Sequence, residues 1–155
     1  MTAEYPARRM SPMGKISYLG RSVMPQEYML VRQELGLPAL AFPVAARAVR
    51  DDLFNVVVLL DGETPVACAR VIGDGVLTFL IQDVLVVPKM QRKGIGSRIV
   101  GIVIGYLETV AQPGAFVGLM APPGTEAFFA KHGFCARPAD APGMQLALQQ
   151  KIGQA

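Results

Sequence analysis

The sequence predicts an α+β fold with a central mixed, mostly antiparallel sheet of about six to seven strands flanked by helices. From residue 54 onward, runs rich in β-branched residues alternate with the pairs Asp61-Gly62 and Asp74-Gly75. An Asp-Gly pair between two apolar runs is a strong signal for a β-hairpin. A long helical pattern and further short apolar runs follow, which indicates that strands and helices share one core.

Seven strands and four helices are predicted along the chain. The strands cover residues 15–20, 54–60, 65–72, 76–87, 116–121, 135–137 and 144–148. The helices cover residues 25–35, 43–52, 94–111 and 125–132. Pro25 stands at a first helical position, and Gly36 provides the stop of that first helix.

Length and composition predict one domain over residues 15–155, preceded by a flexible leader over residues 1–14. The chain has 155 residues, of which 52% are hydrophobic, so it can bury a core. Its apolar runs are shorter than the roughly 20 residues that a membrane helix needs, and no secretory signal is visible. Two cysteines without CxxC spacing predict reduced thiols and no metal site. We therefore expect a cytoplasmic protein that does not bind membranes.

The positive charge is concentrated in two places. Arg8, Arg9 and Lys15 lie in or beside the leader, and no basic stripe follows elsewhere, so no nucleic-acid partner is predicted. A nucleic-acid accessory role of this basic tail is the weaker alternative, which deletion of residues 1–14 would test. Within the folded body there is no acidic residue between Asp83 and Glu108. Four cations lie within ten positions of that interval, namely Lys89, Arg92, Lys93 and Arg98.

The turn between the strand over 76–87 and the long helix predicts an anion site. Gly94 and Gly96 open the helix, where orphan N–H groups and the positive end of the helix dipole favour a diphosphate. The alternative explanation for these two glycines is structural, because glycine also occurs at helix starts where tight packing requires a small residue. A dinucleotide fingerprint requires a third glycine where Ile99 stands, and the GK[ST] ending of a P-loop is missing.

Two segments of the chain resemble one known family. Residues 83–96, with the pattern [QR]-x-x-G-x-[GA] after a strand, resemble the acetyl-CoA motif of the GNAT superfamily of N-acetyltransferases. Residues 125–134 resemble its second hallmark, a helix that ends in Gly-Phe. The resemblance implies a GNAT-like acyltransferase fold with acetyl-CoA as cosubstrate. It implies pairing of Val84, Leu85 and Val86 with the pantetheine arm, and contacts to the rest of the cofactor from Gln91, Arg92, Lys93, Gly94, Ile95, Gly96, Ser97 and Phe129.

The chain departs from the family pattern at Phe129. Many members carry a tyrosine there, whose hydroxyl protonates the departing CoA thiolate. Phe129 is expected instead to form a wall of the sulfur pocket. An asparagine that many members place after the following strand is also absent, with Pro122 near that position. An alkyl thiol with a pKa near 8.5 still leaves near neutral pH, so transfer is slowed rather than abolished. The departure also keeps open a second function, an acyl-CoA-binding sensor or regulatory module without catalysis.

Asp83 is the candidate general base, because attack on a thioester requires a neutral amine. An ion pair with a basic neighbour, formed for structure alone, is the alternative for this carboxylate. His132 is expected to complement the end of its helix, and Cys68 and Cys135 to be packing residues. The function predicted is direct acetyl transfer from acetyl-CoA to a primary amine of a small molecule or peptide. The sequence leaves the oligomeric state open, with a homodimer as one option.

Overall fold

The computed structural model describes residues 14–148, so the predicted leader lies outside the described residues apart from Gly14. This part of the chain forms five strands, four α-helices and one 3-10 turn. In chain order they are β1 (Ile16–Leu19), α1 (Pro25–Glu34), α2 (Phe42–Arg50), β2 (Phe54–Leu60), β3 (Thr64–Gly73), β4 (Thr78–Val86), the 3-10 turn (Pro88–Met90), α3 (Ile95–Val110), β5 (Phe116–Leu119) and α4 (Glu126–Ala130). The chain divides into two compact units, the first ending at Met120 and the second beginning at Ala121.

The first unit contains a single sheet with the strand order β1-β2-β3-β4-β5. The first three pairings are antiparallel, and β4 pairs with β5 in parallel from Thr78↔Phe116 to Ile81↔Leu119. A parallel pair needs a long crossover, which α3 provides between β4 and β5. The predicted α+β class and the mixed, mostly antiparallel sheet flanked by helices are confirmed.

The predicted number of six to seven strands is wrong, because five strands form within residues 14–148. Residues 135–137 and 144–148 adopt no strand. Met144, Leu146 and Leu148 alternate as in a half-buried strand, yet each is more than 80% exposed. Alternation reports a local preference only, and a strand also needs a neighbouring backbone for its hydrogen bonds.

The core lies between the central strands and the apolar face of α3. Val56, Val57 and Val58 of β2 are fully buried. In α3, Ile99 and Val103 are at most 1% exposed. Consecutive buried residues along β2 show that both faces of this strand are covered. None of the helices within residues 14–148 combines the length and the apolar character required to cross a membrane.

An ion pair at the start of α1 fixes this helix. The Glu27 carboxylate accepts hydrogen bonds from both Nη atoms of Arg21, at 2.6 and 2.9 Å, and from the Met24 backbone N–H at 2.8 Å. The Met24 bond satisfies one of the backbone donors at the helix start. This arrangement holds α1 in the orientation in which Tyr28, one residue further along, is buried.

Candidate cofactor and acceptor site

A β-bulge lies in β4 at Asp83. The register places Cys68 opposite Leu85 and Arg70 opposite Gln82, so that two residues of β4, Asp83 and Val84, stand against one residue of β3. Asp83 has a φ of 50°, which is unfavourable for a residue with a Cβ. A bulge of this kind bends its strand and increases the local twist.

Beyond the bulge, β4 separates from its parallel neighbour. The β4–β5 pairing ends at Ile81 and Leu119, and the described part of β5 pairs with no later residue of β4. Val84, Leu85 and Val86 are partly exposed on this open stretch. Their strand therefore offers backbone groups to an extended ligand, as an unpaired sheet edge does.

The turn that follows β4 leads directly into α3. The Gln91 side-chain amide donates a hydrogen bond to the Val86 carbonyl at 2.9 Å, which ties the turn to the strand end. Arg92 and Gly94 have φ values of 62° and 81°, and Gly94 is the N-cap of α3. A Cβ at Gly94 would meet no atom within 4 Å, so the space above it is open. The chain therefore turns into α3 through two residues of left-handed backbone, Arg92 and Gly94.

The N-terminus of α3 is suited to an anion. The first hydrogen bond of α3 runs from the Arg98 N–H to the Gly94 carbonyl, and Gly94 itself, as the N-cap, offers no side chain to cap the helix. The N–H groups of Ile95 and Gly96 therefore point ahead of the helix, at its positive end. Within residues 14–148, none of the four cations predicted for this region, Lys89, Arg92, Lys93 and Arg98, forms an ion pair. The turn is positively charged and accessible.

Asp83 is bound by two donors on one oxygen. The Tyr28 hydroxyl donates to Asp83 Oδ2 at 2.6 Å, and Arg70 Nη1 donates to the same oxygen at 2.9 Å. No residue of the described range 14–148 donates to Asp83 Oδ1, and this oxygen is not enclosed by protein. The carboxylate is thus held in place by one oxygen and leaves the other accessible.

Arg70 links this carboxylate to a second one. Its Nε and Nη2 atoms donate to Asp52 at 2.8 and 2.9 Å, and Nη2 also donates to the Ala48 carbonyl. Burial acts to lower the pKa of Arg70, but the hydrogen bonds to Asp52 and Asp83 outweigh it and raise the pKa above its ordinary value. Burial, followed by the bond to Asp83, also raises the pKa of Tyr28, so its phenol stays protonated and donates.

Residues 52–136, which are 85 of the 155 residues, match the acetyltransferase (GNAT) domain family. The chain belongs to the GNAT acetyltransferase family. The resemblance predicted from residues 83–96 and 125–134 is confirmed, and the protein is an enzyme of the acetyltransferase class, which catalyses acyl transfer.

Solved structures show how widely the fold of this GNAT chain is shared. A probable acetyltransferase of unknown function from meticillin-resistant Staphylococcus aureus matches with a TM-score of 0.78 and 25% identity, covering 86% of this chain and 100% of its own. A GNAT family acetyltransferase from Streptococcus pneumoniae matches with a TM-score of 0.72 and 21% identity, over 88% of this chain and 100% of its own. An aminoglycoside N-acetyltransferase in complex with CoA matches with a TM-score of 0.61 and 12% identity, over 91% of this chain and 99% of its own. None of the curated proteins matches the sequence.

The structure brings the predicted residues of the first unit into one continuous stretch. Val84 to Val86 form the open strand, and the turn of residues 91–97 continues it into α3. Phe129 belongs to the second unit, where it is buried and packs edge-on against Phe128 and Phe134, with ring centroids 5.0 and 6.0 Å apart. His132 lies beyond the end of α4 and packs against the Phe128 ring at 5.2 Å.

The roles of Tyr28, Asp52 and Arg70 were not predicted from the sequence. A single arginine in the apolar segment of residues 66–72 was the available signal, because a buried guanidinium requires a partner. The partners are 18 and 13 residues away in the chain, and periodicity carries no information about them. Cys68 is buried, as predicted for a packing group, and this burial raises the pKa of its thiol to about 12. The same prediction is wrong for Cys135, which is exposed.

Proposed function

We propose that this GNAT enzyme uses acetyl-CoA and transfers the acetyl group directly to a primary amine of a small molecule or peptide. The uncapped, positively charged start of α3 beside the open stretch of β4 is the observation that supports this most strongly. One feature suits a diphosphate and the other suits the amide-bearing arm to which a CoA diphosphate is attached. Of the similar structures described above, the aminoglycoside N-acetyltransferase is in complex with CoA.

The residues of the turn hold the two ends of the cosubstrate in this proposal. The N–H groups of Ile95 and Gly96 bind the diphosphate, and Arg92 and Lys93 neutralise its charge. Backbone groups of Val84 and Val86 pair with the pantetheine amides. The Leu85 N–H then polarises the thioester carbonyl, as a donor of an oxyanion hole does.

Asp83 acts as the general base of the proposed reaction. Its Oδ1 takes one proton from the acceptor ammonium to give the neutral amine, while Oδ2 stays bound to Tyr28 and Arg70. The second proton, which the nitrogen gives up as it is acylated, goes to solvent. The amine nitrogen forms the new C–N bond with the carbonyl carbon, and the C–S bond of the thioester breaks. CoA leaves as a thiolate and is protonated by solvent, because Phe129 carries no acidic proton.

Two measurements test the proposal on the purified protein. Acetyl-CoA at millimolar concentration should raise the melting temperature, since a ligand that binds only the folded state stabilises it. A panel of primary amines should then release free CoA thiol with at least one acceptor. An unchanged melting curve would show that the proposed cosubstrate is wrong. A cytoplasmic site of action and a homodimer belong to the same proposal.

The substitution Phe129→Tyr separates an enzyme from an acyl-CoA sensor. If the protein is an enzyme that lacks a general acid, the added hydroxyl should raise the rate of acetyl transfer in a single turnover. General-acid catalysis contributes about 10²–10⁴-fold, and we expect a gain near the low end of this range. Acetyl-CoA affinity should stay unchanged. A wild type that binds acetyl-CoA and acetylates nothing, while Phe129→Tyr acetylates simple amines, would favour the sensor.

A further inference from the structure

Arg32 of α1 is a cation that has no carboxylate partner among residues 14–148. Its Nη1 donates to the Tyr28 hydroxyl at 3.4 Å and its Nη2 donates to the Pro38 carbonyl at 3.1 Å. Its Nε is enclosed by protein and has no acceptor among the described residues. None of the ion pairs of residues 14–148 includes Arg32.

The contrast with Arg70 shows what is missing at Arg32. Arg70 makes five hydrogen bonds with its five N–H donors and pairs with two carboxylates. Arg32 makes two hydrogen bonds, so three of its five donors have no protein acceptor in the described range. A ligand cannot reach the enclosed Nε, so the donors left for one are the second N–H of Nη1 and the second N–H of Nη2. A partly buried guanidinium with unused donors is unfavourable unless another group completes it.

The guanidinium of Arg32 is nevertheless held in a fixed position. Its carbon lies 5.4 Å from the centroid of the Tyr28 ring, at cation–π distance, and the Pro38 carbonyl fixes one Nη. The bonds of 3.4 and 2.6 Å share the Tyr28 hydroxyl, so Nη1 lies no more than 6.0 Å from Asp83 Oδ2. The cation is therefore placed beside the proposed base.

We propose that Arg32 binds a carboxylate of the acceptor, so that the preferred substrates are amines that carry a carboxylate within two or three bonds of the amino group. This inference rests on the proposed function. The planar fork of Arg32 matches a carboxylate, and the short separation from Asp83 fits α- and β-amino acids, whose amine reaches Asp83 while the acid reaches Arg32. The loop that contains Pro38 contributes to specificity by orienting Arg32.

The test compares each acceptor with its uncharged counterpart. β-Alanine is compared with β-alaninamide, and L-amino acids with their amides, by steady-state release of CoA thiol. The amide has the less basic amine, so ionisation of the amine alone would favour the amide. We expect wild type to prefer the acids by about 10- to 100-fold in kcat/KM, the range of a charge-assisted hydrogen bond.

Three variants locate this preference. Arg32→Gln should lose about 10- to 100-fold with the acids and change by less than about threefold with the amides, and Arg32→Lys should retain part of the preference. Arg47→Gln removes the same charge from an exposed arginine of α2 and should keep the wild-type preference. The acetyl-CoA melting shift of Arg32→Gln should equal that of wild type, which shows that the variant is folded and binds the cosubstrate.

The outcomes distinguish this inference from the proposed function. If wild type acetylates amides as well as acids, or if Arg32→Gln loses both classes equally, Arg32 does not select a carboxylate although the enzyme acetylates amines. If other primary amines release thiol but neither the acids nor their amides do, this inference is wrong and the proposed function stands. If no primary amine releases thiol from wild type, the proposed function is wrong and this inference is wrong with it.

Discussion

Asp83 combines a strained backbone with a functional position. A non-glycine residue at a φ of 50° carries a conformational cost, and the bonds from Tyr28 and Arg70 to its carboxylate compensate for it. The ion pair that sequence analysis named as the alternative role therefore exists. It uses only Oδ2, so a structural role and a role as base are compatible in the same side chain.

The substitution Asp83→Asn tests the role as base. The amide oxygen still accepts hydrogen bonds from Tyr28 and Arg70, but the side chain no longer takes a proton. Turnover should fall by about 10²-fold or more at pH values below that at which the acceptor amine deprotonates unaided, and the deficit should shrink above it. The pH profile of kcat/KM measures this difference.

Asp52→Asn is the matched control, because Asp52 pairs with the same arginine without lying in the bulge. We expect lower stability from this variant and a pH profile of unchanged shape. An Asp83→Asn variant whose activity drops equally at every pH, together with its stability, would leave Asp83 with the structural role alone.

At the scale of elements, the sequence predicted those helices, strands and turns whose formation depends on residues close together in the chain. The hairpins around Asp61-Gly62 and Asp74-Gly75 form because turn residues and apolar runs act locally, and β2 has the predicted bounds. The start of α3 could be predicted in the same way from Gly94 and Gly96, which open the helix. The Arg70 network and the end of the β4–β5 pairing depend on residues distant in the chain, and the pattern of residues 135–148 predicted strands that have no partner.

The turn at Gly94 allows a direct test of cosubstrate binding. Acetyl-CoA at 100 times its Kd stabilises the fold by about 2.7 kcal/mol, which raises Tm by about 5–10 °C for a chain of this size. Gly94→Glu places bulk and negative charge in the open space above the helix start and should abolish this shift. Differential scanning fluorimetry with and without acetyl-CoA measures it.

Gly114→Glu provides the control at the other end of α3. Gly114 is exposed, has a φ of 82° against 81° at Gly94, and likewise has nothing within 4 Å of a Cβ. Both variants accept the same left-handed backbone cost of about 1–2 kcal/mol, but only one alters the anion site. A shift that survives in Gly94→Glu, or disappears in both variants, would argue against diphosphate binding at this helix start.

At the scale of the whole molecule, carboxylates make folding dependent on pH. Burial acts to raise the pKa of Glu27, but the bonds from Arg21 and the Met24 N–H, with the Arg21 charge, outweigh it and lower the pKa below its ordinary value of 4.5. Three backbone N–H groups, those of Val76, Leu77 and Thr78, lower the pKa of Asp74 in the same direction. A lowered pKa in the folded state means that the unfolded chain binds protons first as the pH falls.

The stabilisation by Glu27 is therefore complete above pH 4.5 and is lost as the pH falls through the lower pKa of the folded state. At neutral pH, Glu27→Gln should reduce the free energy of unfolding by roughly 1–2 kcal/mol, toward the low end for a charged hydrogen bond because Arg21 is partly exposed. Urea denaturation at a series of pH values should show the wild-type and variant curves converging below pH 4.5.

Glu34→Gln removes a carboxylate of α1 that forms no ion pair among residues 14–148, and it should leave the neutral-pH stability nearly unchanged. If the difference in free energy of unfolding between wild type and Glu27→Gln stays constant as the pH is lowered, packing of the Glu27 side chain, and not its charge, stabilises the start of α1.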